Sequence, residues 1–179
     1  MDDKNLRIVL LSCCAPCSCG AIKQLVDMAI DFIVLFYNPN IYPETEYQKR
    51  LSEQIKYCES IGAKYAVGEY NHPKWLECIR GLESEPERGA RCAKCFEYRF
   101  KFGVNWATAH GYNAIASVLG ISRHKNQTQV DTAAHNATID TNIRYIPVDW
   151  DMELYVKINH ESDFYRQNYC GCEFSRRDV

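Results

Sequence analysis

The sequence predicts an α/β protein: a parallel, Rossmann-type sheet with helices on both faces. Two observations carry this expectation. Short apolar runs alternate along the chain with segments of helical periodicity, and the first of them, "RIVLLS", reads as a buried strand that passes directly into a helix through a cysteine-rich turn. With 179 residues and 46% hydrophobic content, the chain is long enough to bury one good core without a disulfide scaffold.

The elements follow in order. After strand one (7–12), Ala21, Ile22, Leu25, Val26, Ala29 and Ile30 repeat at helical spacing. "DFIVLFY" (31–37) is strand two, and "NPNIYP" is a loop with two prolines. Residues 44–62 read as a helix with Leu51, Ile55 and Cys58 on one face and Gly62 near its end. Strand three is expected at 63–70 and a helix at 72–82. A polar loop covers 83–95 and leads to a helix around 96–111. Strand four is expected at 113–122, a helix at 124–140 and strand five at 143–150. The tail from Asp151 is weakly periodic. No repeat, low-complexity segment or linker divides the chain, so residues 1–179 are expected to form a single domain with 151–179 as a C-terminal segment. Right-handed crossovers then put ligands at the carboxyl ends of the strands, near the topological switch point.

The start "MDDKNLRIVLLSCC" lacks a basic segment followed by a long apolar stretch, and no run of about 18 apolar residues occurs, so a cytoplasmic location without membrane spanning is expected. In a reducing compartment, ten cysteines point to metal or redox chemistry before structural bridges. A formal net charge of −2 excludes a histone-like role but not tRNA binding.

The cysteines fall into groups. Cys13, Cys14 and Cys17 lie in "CCAPC" at the carboxyl end of strand one, where the dipole of the first helix favours thiolates, and where the glycines of a phosphate-cradling loop are missing. Cys92 and Cys95 form "RCAKC"; Cys170 and Cys172 form "YCGC", whose glycine lets two sulfurs turn to one centre. Either pair alone is equally a structural zinc site, a redox disulfide or chance, but three groups together make metal binding the expectation. Cys58 and Cys78 read as small core residues, and Cys19 as either a spare thiol or packing. One tetrahedral zinc or one 4Fe-4S cluster takes four thiolates, which leaves three for a second metal with an open position. Two structural zincs remain the alternative.

The motifs "CCAPCS", "YNPNIYPETEYQKR", "RCAKCFEYR", "SRHKN" and "YRQNYCGCEFS", in this order between Ile8 and Ser175, resemble the epoxyqueuosine reductase family called QueH. The resemblance implies a HUP-like, Rossmann-type fold, a 4Fe-4S cluster and an adjacent mononuclear iron. It implies reduction of epoxyqueuosine to queuosine at the wobble position of tRNA, the last step of queuosine formation, with electrons from an unidentified donor. It also implies that Cys13, Cys14, Cys17, Cys92, Cys95, Cys170 and Cys172 are metal ligands, undivided between the centres, although the position of Cys17, Asp in some members, fits the separate iron. The chain departs from the family pattern at "VDWDMELYVKINHESDF" and "SVLGISRHKN", on the substrate side.

For such a reaction Tyr165, Lys125 and Asp149 are the candidate proton donors, each near the expected carboxyl edge; their structural alternatives are a packed tyrosine, a solvated lysine and a surface turn. Arg88, Arg91, Lys94 and Arg99 surround the second cysteine pair, Arg123 and Lys125 flank His124, and Arg166 precedes the third, so a basic rim for phosphates is expected if these regions converge. The substrate-binding candidates are Asn38, Asn40, Tyr42, Arg91, Arg123 and Arg166. Two other readings stay open, a zinc-stabilised nucleic-acid-binding module and a thiol–disulfide oxidoreductase.

Overall fold

In a computed structural model describing residues 5–176, strand β1 (Arg7–Ser12) is the innermost element. Ile8, Val9, Leu10 and Leu11 are almost fully buried, as expected of a parallel strand covered on both faces. It pairs with β2 (Asp31–Phe36) on one side and with β4 (Ala114–Ser117) on the other, so that Leu11 lies opposite both Leu35 and Ser117. The sheet extends to β3 (Tyr65–Val67) beyond β2 and to β5 (Arg144–Tyr145) beyond β4, giving the order β3-β2-β1-β4-β5 with every pair parallel.

Helices α1 (Ala15–Asp27) and α2 (Glu44–Ser60) pack together, while α4 (Ala90–Ala109) and α5 (Gln127–Thr138) pack against each other. Winding to β3 and then returning past β1 to β4 reverses the direction of travel, and right-handed crossovers put the two helix pairs on opposite faces. The short α3 (His72–Cys78) lies on α4. Among the described residues no helix is long and apolar enough to cross a membrane.

Four elements differ from the sequence expectation. Strand β4 stops at Ser117, whose hydroxyl accepts from the Leu119 N–H at 3.0 Å and starts a 3-10 turn at Leu119–Ile121. Strand β5 is cut to two residues: the Arg144 and Ile146 N–H groups donate to the Asn113 and Ile115 carbonyls, but the next acceptor, the Ser117 carbonyl, is taken by Trp150 Nε1 at 3.1 Å. Strand β3 keeps only its centre. Helix α4 starts at Ala90, so Cys92 and Cys95 lie in its first turns rather than in a loop. Its N-terminus is held from a distance, by Glu85 Oε2 accepting from the Ala90 N–H at 3.2 Å, outside the usual cap spacing.

The tail also holds a helix, α6 (Met152–Glu161). Its N-cap is Asp151, which accepts from the Leu154 N–H at 2.9 Å. None of its residues is fully buried; Leu154, Tyr155 and Ile158 make a short, half-buried stripe that does not stand out in a weakly periodic tail. It lies on α1 at Gly20, where a Cβ would come within 2.8 Å of the Tyr155 Cα. Backbone cannot yield there as a side-chain tip can. Gly20→Ala is therefore expected to lower the urea midpoint by an amount equivalent to about 1–3 kcal/mol, and to speed proteolysis within 152–161.

Candidate metal centre

The reversal of winding beside β1 opens a crevice at the carboxyl ends of β1 and β4, the place where α/β sheets bind ligands. The chain leaving β1 enters it as Cys13 and Cys14, with Cys14 the N-cap of α1 and Cys17 in the first turn. The three sulfurs lie within 4.8 Å of one another, all buried, and form the one close group of three or more such ligands among the described residues. Below them Ser12 Oγ and Ser18 Oγ donate to Gln54 Oε1 at 2.6 and 2.9 Å, and Asn38 Nδ2 donates to the Ser12 carbonyl at 2.9 Å, which fixes the turn from α2 and from the end of β2.

The three thiols perturb one another. Hydrogen bonds from the Cys14 and Cys17 thiols, with Lys125 and Arg99 nearby, hold the Cys13 thiol well below its ordinary pKa despite burial. The same bonds push Cys14 up to about 12 and raise Cys17. Lys125 Nζ lies 4.0 Å from Cys13 Sγ; burial opposes its charge, but Cys13, Cys170 and Cys17 raise its pKa.

The remaining four expected ligands form a looser second group. Cys95 packs with Cys172, Trp75 and Ile79, and its sulfur accepts from Trp75 Nε1 at 3.3 Å. The Arg88 N–H donates to Cys92 Sγ at 3.3 Å. Burial pushes Cys95 up to about 12 and raises Cys92 and Cys172, and the Cys170 charge adds to all three shifts, so these sulfurs share one electrostatic neighbourhood. The CGC segment is pinned from the β2–α2 side: Arg50, ion-paired with Glu46 at 2.6 Å, donates to the Cys170 carbonyl at 3.1 Å, and the Tyr42 N–H donates to the Gly171 carbonyl at 2.8 Å. All ten cysteines are free. Cys58 is fully buried and Cys78 partly so; Cys19 is buried outside the triad, where its sulfur accepts from Asn159 Nδ2 at 3.1 Å.

A cleft of about 420 Å³ borders both groups, with Cys17 and Cys170 in its wall. Lys125, Arg123 and Arg166 line it; Tyr165 and Asp149 do not. The Tyr165 hydroxyl donates to Glu46 Oε2 at 2.9 Å, and Asp149 lines two other hollows, one beside the start of β1. Of the substrate candidates, Asn38 and Asn40 are buried, Tyr42 stacks on His72, and Arg91 is turned inward onto the Glu83 and Glu85 carbonyls. Arg99 is likewise 1% exposed. Of the expected rim only Arg123, Lys125 and Arg166 line the cleft: helix α4 carries Arg91 and Arg99 into the interior, Arg88 is exposed with its Nη2 donating to the Arg123 carbonyl, and Lys94 is ion-paired with Glu97 at 3.6 Å. Sequence reasoning missed Gln167, whose Nε2 donates to Cys14 Sγ at 2.9 Å, and Trp75. Neither has a spacing signal, since each meets its sulfur only through the tertiary fold.

Residues 8–178 match the sequence model of the family described as epoxyqueuosine reductase QueH. The chain belongs to that family. The QueH protein of Haemophilus influenzae is 36% identical over 99% of this chain and 75% of its own length, and that of Acinetobacter baylyi 37% identical over 100% and 84%. A solved structure, described as a predicted subunit of tRNA methyltransferase from Methanocaldococcus jannaschii, superposes with a TM-score of 0.57 over 87% of this chain and 76% of that one; at 11% identity it speaks for the fold alone, in keeping with the Rossmann-type class.

Gly171 has φ +117, and a Cβ there would lie 2.8 Å from Arg50 Nη1 and 3.1 Å from Ile41 Cγ1. Gly171→Ala is expected to leave the sheet folded by circular dichroism while displacing Cys170 and Cys172. Titration with Co²⁺, read by thiolate-to-cobalt absorption, should then show fewer sulfur ligands than in the parent protein.

Proposed function

We propose that the protein is an iron–sulfur epoxyqueuosine reductase acting on tRNA. The observation that carries this reading is the buried cysteine triad at the switch point of the sheet, facing Lys125 and an open cleft. Membership of the family supplies the reaction class. In the proposed division Cys13, Cys14 and Cys17 hold the separate iron, and Cys92, Cys95, Cys170 and Cys172 hold the 4Fe-4S cluster. The reading treats residues 1–179 as one domain whose segment 151–179 supplies the last two ligands.

The surroundings suit anionic metal–thiolate groups. Arg91, Arg99 and Lys125 are buried, and none has a carboxylate within ion-pair distance among the described residues. Arg91 Nε and Nη2 have no hydrogen-bond partner among the described residues. Buried cations need a buried anion. A doubly oxidised cluster with four thiolates is a dianion and ferrous iron with three thiolates a monoanion, so the three cations would balance them.

Turning an epoxide into an alkene consumes two electrons and two protons and releases water. When bound, the cluster supplies electrons and the iron a Lewis acid for the departing oxygen. The chain's own residues do the rest. Lys125, kept protonated by the sulfurs around it, is the group in the cleft wall best suited to deliver a proton to that oxygen. Gln167 orients the Cys14 sulfur through its amide. Arg123 and Arg166 are the residues proposed to hold backbone phosphates while the flipped wobble base enters. The physiological reductant is a separate partner.

Anaerobic purification with iron, sulfide and zinc analysis tests the reading: about five irons and four sulfides per chain are expected, followed by turnover of epoxyqueuosine-containing tRNA with a chemical reductant. Zinc without sulfide, persisting after anaerobic reconstitution, would overturn it in favour of a structural metal clamp. Cys17→Ala should lose about one iron while keeping the absorbance of the cluster; full iron at both centres would reject the division. Lys125→Met should lose about a hundredfold or more in turnover per bound iron, with iron content measured alongside because the variant also removes one of the three countercharges.

A further inference from the structure

We infer that Arg99 is the shared countercharge of the two cysteine groups, a positioning residue that sets the potential at which the four-cysteine site accepts an electron. The inference rests on the iron–sulfur reading above. Helix α4 carries Arg99 one turn beyond Cys95, on the same face. Its guanidinium is 1% exposed and meets neutral acceptors only: Nε donates to the Tyr37 carbonyl at 3.1 Å and Nη2 to Asn38 Oδ1. Asn38 in turn donates to the carbonyl of Ser12, the residue before Cys13. Arg99 is thereby tied by one covalent turn to the second group and by two hydrogen bonds to the first.

No carboxylate pairs with it among the described residues. Helical spacing sets Arg99 beside Cys95, and the Asn38 bridge sets it against the turn that carries Cys13. Lys125 lies near both groups as well, but it lines the cleft, where it is proposed to meet substrate; Arg99 does not line it. Arg99 therefore stands behind the two cysteine groups and away from the substrate cleft. Reduction adds negative charge to a site already anionic, and a buried cation in a low-dielectric interior favours the reduced form.

The test is the midpoint potential of the cluster in reconstituted protein, read by electron paramagnetic resonance during a dithionite titration. Arg99→Gln, which keeps a donor for the Tyr37 carbonyl and removes the charge, should shift the potential downward, and Arg99→Lys should restore most of the shift. Asn38→Asp reaches the same charge without touching the arginine: a carboxylate facing Nη2 pairs the guanidinium and should also lower the potential. An Arg99→Gln protein that folds but loads less iron at both groups, with loading recovered by lysine, supports the shared role equally. Unmoved potentials in Arg99→Gln and Asn38→Asp, or a lysine variant as impaired as glutamine, would overturn it. Parent protein without iron and sulfide would instead defeat the iron–sulfur reading, so the two failures are distinguishable.

Discussion

Ile8, Val9, Leu10 and Leu11 of β1 have almost no exposure, and a strand buried on both faces has to be paired at both edges and covered twice. The chain meets that demand by winding outward to β3 and returning to β4 on the other side of β1. The return creates the crevice, and the residues that leave β1 have no choice but to enter it. Cysteines at positions 13, 14 and 17 are thus gathered by the same hydrophobic burial that forms the core, and helix α1 starting at Ala15 folds Cys17 back toward the other two.

Electrostatics at the crevice invert the usual arrangement of a protein interior. Buried cations ordinarily meet carboxylates, as Arg50 meets Glu46. Around the cysteines they meet sulfur and neutral carbonyls instead, and seven thiols occupy the space where acidic partners would be. Within the triad a lowered Cys13 pKa goes with raised Cys14 and Cys17 values, so charge on one sulfur opposes charge on the others. More sulfurs bear charge only when something more than a proton neutralises them, which is the physical basis for reading the site as a metal centre.

The C-terminal segment closes the site from a distance. Arg50 and Tyr42 hold the backbone of Cys170 and Gly171, and His72 spans the Pro39 carbonyl and the Glu173 carboxylate at 2.8 and 2.9 Å. These contacts attach a segment with little apolar surface to the rim of the sheet by polar groups that are themselves buried or half-buried. Helix α6 contributes by bulk, its backbone meeting α1 where Gly20 allows close approach, while Asn159 reaches Cys19 and the Pro16 carbonyl.

The alternation of apolar runs and helical segments determined the parallel α/β class, and the position of "CCAPC" directly after the first strand determined that thiols would stand at its carboxyl edge, because both are local properties of the chain. The cysteine motifs, with their order, were enough to bring the family into view. The limits of β4, β5 and α4 were not legible, since they depend on Ser117, Trp150 and Glu85 acting on backbone that propensity alone would continue. Helix α6 was not legible because its apolar positions, Leu154, Tyr155 and Ile158, span little more than one turn and are only half-buried. The tertiary structure alone decided which charged residues face the cleft: Arg91 and Arg99 look in sequence like Arg123 and Arg166, but the helical phase of α4 turns the first two into the interior and leaves the others on the wall. Direction of a side chain is set by the packing of whole elements, and no run of neighbouring residues encodes it.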